Sequence, residues 1–156
     1  MILAIDPGCT ESAYVIIRDD LSIQEFAKIP NEELIGIIPC ILYNGHAKHV
    51  AIEMVASYGM PVGVEVFETV FWIGRFWEAS LDYSVTVSKV YRKDEKMNLC
   101  HSMKAKDANI RQALIDRFGV VGTKKNPGWF YGFKADIWQA YAVGVTYYDM
   151  YIKGAA

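Results

Sequence analysis

The stretch Met1-Ile2-Leu3-Ala4-Ile5-Asp6-Pro7-Gly8 decides how this chain reads. Its apolar run lacks alternation, which suits a strand buried on both faces, and Pro7-Gly8 forces a turn directly after Asp6. A second apolar run, Tyr14-Val15-Ile16-Ile17, follows as a return strand. A carboxylate fixed at the end of a central strand, with a hairpin folding back beside it, is a scaffold for a divalent metal. The tripeptide by itself equally suits an Asp that begins a turn and does nothing more.

Two further acids extend the pattern. His49-Val50-Ala51-Ile52 is a second short apolar run and delivers Glu53 near its end, before Gly59, Pro61 and Gly63 break the chain. If the two strands lie parallel and adjacent, Asp6 and Glu53 project from one sheet edge, an arrangement that is costly unless a cation or proton is shared between them. The alternative is a solvated strand-end glutamate. Asp136 opens a stretch from Lys134 to Met150 that contains no proline, with Ile137, Tyr141 and Val145 recurring every fourth residue and Ala140 and Gly144 as small contact points. The pattern predicts a last helix with Asp136 in its first turn, where the helix dipole favours an acid with or without a catalytic role.

In that order, an Asp on the first strand, a Glu on a later strand and an Asp on the last helix resemble the RuvC branch of the RNase H-like nucleases, which resolve Holliday junctions. The resemblance is carried by Ile5-Asp6-Pro7-Gly8 with Tyr14-Val15-Ile16, by Ala51-Ile52-Glu53, and by Asp136 with Ala140, Ala142 and Thr146. It implies an α/β, RNase H-like fold with a mixed central sheet, its first three strands antiparallel and the rest parallel, flanked by helices. It also implies Mg²⁺, with Mn²⁺ able to substitute, bound by Asp6, Glu53 and Asp136 as catalytic ligands. RuvC proteins carry an acid or His on the last helix, then two residues, then an Asp. Asp136 on the final Asp would leave Phe133 at the earlier position, where it cannot bind metal. Asp136 on the earlier position matches the small-residue pattern and puts Gln139 where the last Asp belongs. The second register is favoured, and Asp136 and Gln139 then share one helical face.

Gln139 offers a carbonyl oxygen but no charge, so the metal is held more weakly than in relatives, or another group such as Asp107 completes the shell. The sequence predicts that Gln139→Asp tightens metal binding. A non-catalytic junction-binding protein is the serious alternative. An actin-like phosphotransferase shares Asp-Pro-Gly after its first strand but needs two domains around its nucleotide, and 156 residues are too few.

Net charge is −2, yet it is distributed unevenly. Residues 1–88 hold four Lys or Arg against twelve Asp or Glu, whereas residues 89–134 hold eleven against four. The basic segment predicts a phosphate-binding face made by Lys89, Arg92, Lys93, Lys96, Lys104, Lys106, Arg111, Lys124, Lys125 and Lys134, unless these only decorate a solvated surface. No base-reading motif stands out, so branch shape is expected to dominate over sequence. Gly122–Gly128 reads as a mobile basic loop.

The organisation expected is one domain over residues 1–156: a three-stranded meander over 2–28, a helix at 31–43 disturbed by Pro39, a strand at 49–54, a helix at 62–80, a strand at 83–90, a basic helical region and the last helix. The 62–80 segment carries Val66, Phe67, Val70, Phe71, Trp72, Ile73, Phe76 and Trp77, wider than one buried stripe. RuvC proteins resemble homodimers built on this helix, which would set two sites against opposite strands of a four-way junction; core packing is the alternative. Tyr58 and Met60 suit either a wedge against unpaired bases or simple loop packing. Cys9, Cys40 and Cys100 have no paired spacing, and His46, His49 and His101 are scattered, which predicts reduced thiols and no zinc site. With neither a signal peptide nor a membrane span, the chain is expected in the cytoplasm, that of a bacterial host if it is phage-encoded, and the short variant pattern looks more like a phage RuvC.

Overall fold

The computed structural model describes residues 1–43 and 47–155, so His46 lies outside the described residues. A five-stranded sheet is its frame: β1 (Ile2–Asp6), β2 (Glu11–Ile17), β3 (Ile23–Pro30), β4 (His49–Met54) and β5 (Thr86–Tyr91), in the order β3-β2-β1-β4-β5. The first three strands form an antiparallel meander, and β1, β4 and β5 run parallel. This is the mixed sheet that the sequence predicts. Unalternating apolar runs suit β1 and β4 to the sheet interior, where helices cover both of their faces.

On one face lie α1 (Asn31–Tyr43) and α2 (Val64–Leu81), packed on Leu3, Ile5, Val50 and Ile52. On the other lie α3 (Arg92–Cys100), α4 (Asp107–Phe118) and α5 (Ile137–Tyr147), with Ala4, Val15, Ile17 and Ala51 beneath them. α1 tolerates Pro39, and Gly119 ends α4 at φ 134, which only glycine adopts readily. The 122–128 segment is a closed turn with a Gly122–Pro127 bridge.

The last helix starts later than its periodicity suggests. It begins at Ile137, which leaves Asp136 at the N-cap instead of inside the first turn, and it ends in a π-helical turn at Tyr148–Ile152. α5 is the centre of the molecule, with ten of its eleven residues buried. Gly144 allows this approach: a Cβ there would overlap the Ile17 side chain and lie 2.9 Å from Ala4 Cβ. Such close packing fixes the height of the whole helix over β1, including the end that carries Asp136.

Candidate active site

Strand register places the first two acids. Ile5 pairs with Ile52 across the parallel β1–β4 ladder, so the next residues, Asp6 and Glu53, emerge side by side at the carboxyl ends of their strands. Two-residue alternation puts both on the face of Ala4 and Ala51, beneath α5. Two carboxyls so close repel each other unless a proton or a cation lies between them. Burial, reinforced by the Glu53 charge, pushes Asp6 from its ordinary 3.8 up to about 9. Glu53 is raised as well, chiefly by burial.

The turn after Asp6 is held from α1. Buried Asn31 donates from Nδ2 to the Gly8 carbonyl at 2.9 Å and accepts from Ser12 Oγ at 2.6 Å, while Ser12 Oγ accepts the Gly8 N–H at 3.1 Å. A side chain at Gly8 would strike the Glu11 carbonyl. Glycine is therefore required to let the hairpin close.

Helices supply the opposite wall. Ala135 takes the left-handed conformation, φ 40, and turns the chain into α5 with Asp136 at its mouth and Gln139 one turn further on. The Asp136 carboxylate is paired to Lys28 at 2.7 Å. That lysine has a simple origin: Asp6 pairs with Ala13, and Ala13 with Lys28, so one cross-strand row carries the acid, a small gap and the base. Phe133, the alternative ligand position, is buried against Phe26, Phe130 and Trp138. The cavity between the walls measures about 600 Å³, and Asp6, Glu53, Arg92, Asp107, Asp136 and Gln139 line it.

Asp6, Glu53, Asp136 and Gln139 thus share one cavity. Among the described residues, however, no three His, Cys, Asp or Glu side chains converge as a closed metal cluster. The reason is visible in the ion pairs. Lys28 holds Asp136, and Arg92 binds Asp107, Glu95 (3.2 Å) and Glu53 (3.9 Å). Arg92, expected among the phosphate contacts, lines the cavity and is engaged there by acids. Lys89 is exposed and lies 5.3 Å from the Trp77 ring in a groove against α2, which Met54 and Val70 also line. Lys93, Lys104, Lys106, Lys124, Lys125 and Lys134 are exposed, and Lys96 is half-buried. Arg111 lines the cavity with its guanidinium 4.6 Å from the Trp138 ring.

Two participants escaped the sequence reading. Lys28 lay outside the basic segment. Glu95, inside a run of charges, looked solvated, yet it is fully buried, with burial and then the Glu53 charge raising its carboxyl well above the usual range. Its spacing carried a signal: Tyr91, Glu95 and Leu99 recur every fourth residue, so the acid occupies an apolar stripe.

No protein-family model matches the chain, and no curated protein sequence does either. Solved structures do. The Thermus thermophilus RuvC structure superposes with a TM-score of 0.66 at 18% identity, covering 96% of this chain and 95% of that one. The T. thermophilus RuvC in complex with a Holliday junction substrate gives 0.68 at 17% identity with the same coverage. The yeast mitochondrial Holliday junction resolvase gives 0.61 at 10% identity, covering 94% and 76%. The fold of this chain is that of the RuvC-type resolvases.

Proposed function

We propose that this RuvC-fold chain is a metal-dependent, structure-selective endonuclease that cleaves Holliday junctions, and other branched DNA such as replication forks, by phosphodiester hydrolysis. The observation that carries the reading is the single cavity into which Asp6, Glu53, Asp136 and Gln139 open. The T. thermophilus RuvC in complex with a Holliday junction substrate and the yeast mitochondrial Holliday junction resolvase lend it support through their shared architecture.

The residues present fit a divalent cation. Asp6 and Glu53 lie so close in so dry a place that burial and mutual repulsion raise both carboxyls, and a cation between them would relieve that repulsion. Bound by Asp6, Glu53 and Asp136 with the Gln139 carbonyl, Mg²⁺ would activate water and stabilise the leaving 3′ oxygen, giving a 5′ phosphate and a 3′ hydroxyl. Lys28 and Arg92 neutralise the acids until then. Arg111, at the cavity wall, is placed to meet an incoming phosphate, and Lys104, Lys106, Lys124, Lys125 and Lys134 to anchor its neighbours.

Homodimerisation through α2 belongs to the same reading. Phe67 and Phe71 are more than half exposed on α2, one turn apart, while Trp72, Ile73 and Phe76 face the core. Among the described residues no helix is long and apolar enough to cross a membrane.

The neutral Gln139 favours a second reading, a branched-DNA-binding module without chemistry. Incubating a labelled four-way junction with Mg²⁺ separates the two. Cleavage by the chain and none by Asp6→Asn supports the nuclease; shape-selective binding without cutting in either leaves only the module.

A further inference from the structure

Gln139 lines the cavity, and its amide nitrogen donates to Glu95 Oε2. Arg92 Nη1 donates to the same oxygen at 3.2 Å. The other carboxylate oxygen, Oε1, is buried without a hydrogen-bond partner. A buried acid left half-satisfied is costly unless it serves something else. Because both donors converge on Oε2, the amide of Gln139 keeps one orientation whether or not Glu95 carries a proton on Oε1. The nitrogen is taken by Glu95, and the amide oxygen is the atom left for the cavity.

We infer that Glu95 is a positioning residue that turns Gln139 into a fixed oxygen donor for the cation at the Asp6, Glu53 and Asp136 site, so that the Glu95–Gln139 pair replaces an acid at position 139. The inference rests on the metal-dependent reading above and deepens it. A carboxylate behind a neutral ligand fixes its orientation and strengthens its donor atom, as carboxylates do behind ligating histidines. The same contact explains the amide. An aspartate at 139 would press a second carboxylate against a fully buried one, with Glu53 and Asp6 already near. The single change Gln139→Asp, favourable on sequence grounds, therefore becomes unfavourable while Glu95 is present. Paired with Glu95→Gln it becomes favourable again, since an amide donor then faces the new carboxylate.

Calorimetric titration of the full chain with Mn²⁺ tests this without reference to cleavage. Glu95→Gln and Gln139→Leu should each weaken the dissociation constant about tenfold. Gln139→Asp alone should lower the metal-free Tm, and the double variant Glu95→Gln with Gln139→Asp should bind within about threefold of the parent. If Glu95→Gln and Gln139→Leu bind as the parent does while Asp6→Asn loses binding, Glu95 is structural and the three-acid site stands without it. A double variant no better than Glu95→Gln also overturns the inference. Mn²⁺ binding unchanged by Asp6→Asn removes the metal site and this inference together. Should Glu95→Gln fail to fold, Gln139→Leu decides alone: parental affinity overturns the proposal, and a tenfold loss supports it.

Discussion

The two faces of the sheet are built from similarly apolar helices and put to opposite uses. α5 has ten of its eleven residues buried, and the polar groups at its start are engaged, Asp136 by Lys28 and Gln139 by Glu95, which Arg92 also binds. α2, of eighteen residues, buries only Thr69, Trp72, Ile73, Phe76 and Ser80, and leaves Val64, Phe67 and Phe71 in solvent. The difference follows from strand alternation. Ile5 and Ile52 point to the α2 side, so that side receives only packing, while Asp6 and Glu53, one residue on, point to the α5 side. On the proposed reading, the first face stores charge for chemistry and the second keeps apolar surface for a partner.

The sharpest break in this contrast comes from removing charge where the proposal places the reaction. Asp6→Asn should lower junction cleavage by about 10³-fold or more, on the scale of losing a preorganised electrostatic group, while gel-shift affinity for the junction stays within a few-fold. An equally large loss of affinity would instead make Asp6 part of the binding surface. On the other face, Phe67→Glu with Phe71→Glu should convert dimer to monomer by analytical ultracentrifugation and leave the far-ultraviolet circular dichroism intact, because neither ring is in the core. A double variant that still dimerises would move the partner surface off α2.

These contrasts also mark what the sequence could disclose. Asp6 and Glu53 were legible because each closes an apolar run, and register then does the rest. Gln139 was legible only through Asp136, by its place one helical turn on. Lys28 was not, because its approach to Asp136 depends on the register of β3 against β2 and on where α5 comes down over the sheet, neither of which the expected meander specifies. Glu95 was hidden in Arg92-Lys93-Asp94-Glu95-Lys96, where composition argues for a solvated face and only the fourfold spacing with Tyr91 and Leu99 argues against it. The acid partners of Arg92 were hidden for the same reason, since a basic residue in that run discloses nothing of the buried acids around it.

A smaller effect comes from pH. Below about pH 4 Asp6 is neutral in folded and unfolded chains alike; from there to about 9 the unfolded chain has released that proton and the folded chain retains it. The folded state then binds more protons, so metal-free stability must fall as pH rises across this window. Glu53 and Glu95, also raised, act in the same direction. Tm of the metal-free chain should decline between pH 5 and pH 9, by about 2–4 °C for each kcal/mol lost, and Asp6→Asn should decline less. Added Mg²⁺ should raise Tm more at pH 8.5 than at pH 5.5. A flat metal-free profile would mean that Asp6 and Glu53 are not the crowded pair described above.

The mildest test concerns Lys28, whose pair with Asp136 is partly exposed on both sides. Exposed pairs contribute about 0–1 kcal/mol, so Lys28 can compete with a cation for Asp136 only weakly. Lys28→Met should therefore tighten Mn²⁺ binding by no more than about fivefold at low salt, and raising the ionic strength should shrink the difference, because solvent ions already screen the lysine. Weaker binding in Lys28→Met would reverse its role. The lysine would then be holding Asp136 in place for the metal, and the helix side of the cavity would be preorganised by a strand residue in the same way that Glu95 organises Gln139.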